Sequence, residues 1–166
     1  LGGDELIRGD AGNDTINAGT GLDVVFANEG NDTVNLGLGD DEAFGSFGND
    51  TLNGDGGNDL VAGDEGDDIL NGGNNNDTVI GGAGDDTINV GSLAPEAGGT
   101  VNQIAAALIV NGGDDNPDTR NVDDTGDAAA NSGFLTATQL TGLGMGVGIT
   151  YGTVEELNIS LGAGGN

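Results

Sequence analysis

Residues 9–89 divide without remainder into nine blocks of nine: GDAGNDTIN (9–17), AGTGLDVVF (18–26), ANEGNDTVN (27–35), LGLGDDEAF (36–44), GSFGNDTLN (45–53), GDGGNDLVA (54–62), GDEGDDILN (63–71), GGNNNDTVI (72–80) and GGAGDDTIN (81–89). The sixth residue of every block is aspartate: Asp14, Asp23, Asp32, Asp41, Asp50, Asp59, Asp68, Asp77 and Asp86. The fourth is glycine except at Asn75, and asparagine is the next-best residue at positive φ. The eighth is always apolar, from Ile16 to Ile88. A shortened block, Gly3 to Arg8, precedes these in register, with Glu5 in the aspartate position. A fixed short period of this kind marks stacked units.

Within one block the six Gly/Asp/Asn-rich residues read as a tight turn, and the last three, such as Thr15-Ile16-Asn17, as a very short strand. A strand that buries one side chain cannot stand alone. Stacked in parallel, such strands make two facing sheets with the eighth positions between them, and one coil takes two blocks. Blocks two apart should then share a sheet. Their endings agree: alternate blocks end in Asn17, Asn35, Asn53, Asn71 and Asn89, and those between in Phe26, Phe44, Ala62 and Ile80. One outer face is therefore a polar ladder and the other an apolar stripe. The fourth block, with Leu36 first and Ala43 at its centre, departs most and is expected to pack worst.

Stacking also aligns the aspartates in two columns, Asp14 to Asp86 on one edge and Asp23 to Asp77 on the other, the second headed by Glu5. Coils lie ~4.8 Å apart, so neighbouring carboxylates repel by ~1 kcal/mol even in water. A hard divalent cation between successive turns reverses that sign. Ca²⁺ accepts six to eight oxygens in flexible geometry, whereas Mg²⁺ demands strict octahedra and keeps its waters. Five turns on one edge and four on the other leave seven gaps, or eight ions in all if Glu5 takes part.

Composition narrows the field independently. The chain has 166 residues, 36 of them glycine, with a formal charge of −27 and only Arg8 and Arg120 as cations. Nucleic-acid binding lacks its basic footprint. Zinc, haem and thiol chemistry lack their ligands, since there is neither Cys nor His. The longest apolar run, Ile104 to Val110, is too short to span a bilayer. No set of residues presents an acid–base or nucleophilic constellation, so an enzyme is not expected. An EF-hand loop is absent from the sequence.

The blocks resemble the calcium-binding nonapeptide of the repeats-in-toxin (hemolysin-type) family, over residues 3–89. That resemblance implies an all-β, right-handed parallel β-roll or β-solenoid with calcium between turns. It also implies that each sixth-position Asp bridges two ions, with backbone carbonyls completing the shell. The function expected is a structural repeat segment of a large extracellular bacterial protein, an adhesin, stalk, surface-layer or filament component. Such a segment would be exported unfolded, by a one-step (type I) route, and would fold on meeting calcium outside the cell. The alternative is a carbohydrate-binding repeat module attached to a secreted enzyme.

From Val90 onward the period breaks, and residues 90–166 are expected to form a wider, less regular solenoid extension with a loop or short helix near 92–107. Gly112 to Thr119 reads as the same turn with Pro117 inserted, making Asp118 a weaker candidate ligand. A second acidic turn is expected at Asp123 to Asp127, and strands at Phe134 to Leu140, Ile149 to Tyr151 and Val154 to Leu161. Two readings stand for the Phe26/Phe44/Ile80 stripe: residues 90–166 fold back over it, or it packs against copies of the chain.

Overall fold

The computed structural model describes residues 2–90 and six later strands. Ten strands cover the repeats: β1 (Leu6–Arg8), β2 (Thr15–Thr20), β3 (Val24–Glu29), β4 (Thr33–Leu38), β5 (Glu42–Phe47), β6 (Thr51–Gly56), β7 (Leu60–Glu65), β8 (Ile69–Asn71), β9 (Thr78–Ala83) and β10 (Thr87–Val90). Six follow: β11 (Leu108–Gly113), β12 (Thr119–Asp124), β13 (Phe134–Leu135), β14 (Gln139–Thr141), β15 (Ile149–Tyr151) and β16 (Glu156–Leu161). Among the described residues there is no helix, and so none that could cross a membrane. Odd strands β1 to β11 run parallel in one sheet, continued by β15, β14 and β13; even strands β2 to β12, continued by β16, make the other. The chain is a parallel β-solenoid, and within the repeats its register advances 18 residues per coil, as Ile16↔Val34↔Leu52↔Leu70↔Ile88 shows.

The strands are longer than the three residues expected. Most run six, from the seventh position of one block through the third of the next. The reason is a second left-handed residue in each block. The second position has positive φ throughout, at Asp10, Asn28, Ser46, Asp55 and Asp64 as well as at four glycines. This bend lets the chain resume pairing after the first position, which the register skips, as between Phe26↔Phe44 and Asn28↔Ser46. The turn proper shrinks to positions four to six. At position four glycine is required twice over: Gly48 has φ 119°, and a Cβ there would collide with the Gly30 carbonyl of the coil before it.

The eighth positions form the core, and the first positions join them. Val25, Val34, Ala43, Leu52, Val61, Leu70 and Val79 are sealed from solvent, as are Ala18, Ala27 and Leu36. The fourth block is thus enclosed as fully as its neighbours, because Leu36 points inward where other blocks have alanine or glycine. The loosest turn lies instead in the eighth block. There Gly57 N–H donates to Asn74 O at 3.5 Å, against 3.0 Å for Gly39 to Gly56 one coil earlier, and β8 stops after three residues. Asn75, at φ 79°, occupies the fourth position of that turn, where the other blocks have glycine.

The two outer faces differ as their endings predict. Along the even sheet each asparagine amide donates to the one before it, Asn35 Nδ2 to Asn17 Oδ1 at 3.0 Å and Asn53 Nδ2 to Asn35 Oδ1 at 2.8 Å, and onward through Asn71 and Asn89. Along the odd sheet Arg8 lies over the Phe26 ring at 5.4 Å, and Phe26 stacks on Phe44 with centroids 5.1 Å apart. The fold-back reading of this stripe is not what the later strands do. Strands β11 and β15 extend the odd sheet from β9, and β12 and β16 extend the even sheet from β10. They stack on the end of the solenoid, where free ladder groups remained to be paired.

Two further expectations change. Phe134 to Leu140 is not one strand, since β13 and β14 pair antiparallel at the edge of the odd sheet. Asp123 and Asp124 end β12 instead of opening a turn. The loop or helix near 92–107 lies outside the described residues, as does Asp118.

Candidate metal centre

The sixth-position aspartates line up on the two turn edges, one per coil. Their burial is nearly complete: Asp23, Asp32, Asp41, Asp50, Asp59, Asp68, Asp77 and Asp86 are 1–3% exposed, while Asp14 in the first full turn is half-buried. Along most of each column the two carboxylate oxygens are used differently, and from Asp23 on Oδ1 is the one engaged. Oδ1 accepts the backbone N–H of the sixth residue one coil earlier: Asp14 to Asp32 at 2.7 Å, Asp23 to Asp41 at 2.7 Å, Asp32 to Asp50 at 2.7 Å, and Asp41 to Asp59 at 2.9 Å. The series continues through Asp68, Asp77 and Asp86. Oδ2 of Asp14, Asp23, Asp32, Asp41, Asp50, Asp59 and Asp68 is buried without any hydrogen-bond partner.

Glu5 follows the same pattern one coil earlier. Its N–H donates to Asp23 Oδ1 at 2.8 Å, and its Oε2 is buried and unpartnered. Burial first, then hydrogen bonding with Asp23, raises its carboxyl above the ordinary glutamate range.

A second ladder, not foreseen from the sequence, runs outside the first. Fifth-position side chains accept backbone N–H groups from the following coil: Asn31 to Asn13 at 2.9 Å, Asn49 to Asn31 at 3.1 Å, Asp85 to Asp67 at 3.0 Å, and Asn58 to Asp40 at 2.8 Å. Its direction is opposite to that of the sixth-position ladder, so the gaps it reaches are stapled from both sides; Leu22 has no side-chain acceptor to offer Asp40. The signal was present: every fifth position is Asn or Asp except Leu22.

Buried, unpartnered carboxylates are costly when ionised. The Asp50, Asp68 and Asp77 carboxyls rise from 3.8 to about 6 and that of Asp59 to about 7, chiefly through burial. At Asp50 and Asp59 the neighbouring aspartates of the column add repulsion. These oxygens need a proton or a cation.

The donor set selects the cation. Among the described residues no three acidic side chains converge on one point. Each gap is bounded by two carboxylates, with first-position backbone carbonyls such as Gly63 O and Gly81 O close to them, and apart from Met145 the chain has no sulfur or imidazole to compete. That suits calcium, which tolerates irregular oxygen shells. Asp14, Asp23, Asp32, Asp41, Asp50, Asp59, Asp68, Asp77 and Asp86, with Glu5 at the head of one column, are the side chains placed to hold it. Once bound, the ion supplies positive charge where the fold concentrates negative charge.

The family model for the RTX calcium-binding nonapeptide repeat (4 copies) matches residues 1–34, 35–70 and 62–92. No curated protein matches the chain.

Proposed function

Because the chain belongs to the RTX calcium-binding nonapeptide repeat family, we propose that it is a non-catalytic segment of a large secreted or cell-surface bacterial protein, made rigid by calcium. The observation that carries this reading is the row of buried, unpartnered Oδ2 atoms along both edges. Seven gaps lie between consecutive aspartates, and seven ions would bring the formal charge from −27 to −13. Residues 1–89 act as the calcium-dependent roll, and residues 90–166 as a less regular extension of it.

Extracellular modules bind calcium at ~10⁻⁴–10⁻³ M, far above cytosolic levels. The chain would therefore stay unfolded by self-repulsion inside the cell and fold after export, metal binding and folding being one event. The ladders then give a stiff rod suited to a stalk, adhesin, surface layer or filament. The Phe26/Phe44 stripe is a candidate contact for neighbouring copies. The carbohydrate-binding alternative is weakened by ring geometry, because Phe26 and Phe44 turn their faces on each other, 12° from parallel. A sugar ring needs a face turned outward.

Circular dichroism of the full chain under calcium titration, beside magnesium, tests the proposal. Gain of β-structure with millimolar calcium, and much less with magnesium, is expected. No gain with calcium defeats it.

A further inference from the structure

The first position of each block stands beside the aspartate that heads each gap. A Cβ at Gly54 would lie 2.7 Å from Asp59 Oδ2, and one at Gly9 would lie 3.0 Å from Asp14 Oδ2. At Gly45 and Gly63 it would collide outright with Asp50 Oδ2 and Asp68 Oδ2. The same point is crowded by the first-position carbonyl of the next coil, 2.6 Å away at Gly63 O and 2.7 Å at Gly81 O. None of these four glycines has a left-handed backbone. Their φ does not call for glycine; the approach of two oxygens does. Absence of a side chain lets an unpartnered carboxylate oxygen tuck against the backbone, beside a carbonyl oxygen, with no donor between them.

Three blocks break this rule. Ala18, Ala27 and Leu36 put carbon beside Asp23, Asp32 and Asp41, and all three side chains are sealed in the core. Real Cβ atoms do not approach within 3.0 Å of such oxygens, so the carboxylate and the carbonyl must stand further apart.

We infer that the first-position residue sets how tightly each gap holds its ion. Four gaps headed by Asp14, Asp50, Asp59 and Asp68 form a tight, glycine-lined class, and three headed by Asp23, Asp32 and Asp41 a weak one. The weak blocks replace metal affinity with apolar burial, which Ala18, Ala27 and Leu36 supply and glycine cannot. At limiting calcium the stretch from Gly45 onward fills first.

This inference rests on the calcium reading above, and its test separates the two. Isothermal titration of the full chain with calcium chloride, with bound metal counted after dialysis, should resolve two classes at least tenfold apart in affinity. Ala27→Gly should move one ion from the weak class to the tight one, and Gly63→Ala should move one the other way. Ala27→Gly removes only a methyl group, so it keeps the test valid even where Gly63→Ala fails to fold. If Ala27→Gly gains β-structure on calcium yet titrates as the unaltered chain does, the inference is overturned. If the unaltered chain takes up no calcium, the functional reading fails before any variant is compared.

Discussion

Asp59→Asn should reverse the sign of its effect with the buffer. Asparagine is nearly isosteric and keeps an oxygen to accept the Asp41 N–H, which Asp59 Oδ1 holds at 2.9 Å. What changes is charge. Without calcium at pH 7.5, Asp59 must ionise against a value raised from 3.8 to about 7. Carrying that charge costs about 4 kcal/mol at full weight, and roughly half of it once partial solvent access at the turn is allowed for. Asparagine removes this cost, so the variant should hold more β-structure in EDTA than the unaltered chain. With calcium the balance inverts, because Asp59 borders the gaps toward both Asp41 and Asp77. A site of ~10⁻⁴–10⁻³ M affinity contributes about 1–2 kcal/mol at roughly 5 mM free calcium, so losing two costs about 2–5 kcal/mol. Thermal melts followed by circular dichroism, in EDTA and in calcium, should therefore cross. Equal destabilisation in both buffers would refute the reasoning, since it would make Asp59 a hydrogen-bonding residue and nothing more.

Two other outcomes follow from the same geometry. In EDTA, acid should promote folding: the carboxyls of Asp50, Asp59, Asp68 and Asp77 stand at about 6, 7, 6 and 6 in the fold against 3.8 ordinarily, so the stability they contribute is fully present below about pH 4 and is lost as pH rises through 6 to 7. A pH titration of the β-signal checks this, and a metal-free chain that folds better at pH 8 than at pH 4 contradicts it. Asn75→Gly should relieve the left-handed strain at φ 79° and shorten the 3.5 Å bond from Gly57 to Asn74. A gain of about 1 kcal/mol is expected in calcium-saturated denaturant melts, and no gain would place the defect elsewhere.

Much of this architecture is legible in the residue types. The nine-residue period, the invariant sixth aspartate and the alternation of Asn with Phe, Ala and Ile endings give the coil length, the two faces and the eighth-position part of the core, though not its first-position part at Ala18, Ala27 and Leu36, before any coordinate is known. They do so because a solenoid repeats one environment, and a repeated environment leaves a repeated residue. Where the environment stops repeating, as at β12 or the β13–β14 pair, the period no longer guides the reading.

Tertiary structure alone settled how each aspartate is used. Periodicity places the carboxylates in columns, but only the stacked coils show Oδ1 committed to a backbone N–H and Oδ2 left without a partner. The six-residue strands and the counter-running fifth-position ladder also depend on contacts between residues 18 apart. One block in isolation cannot express those contacts, since each exists only after the neighbouring coil has closed against it.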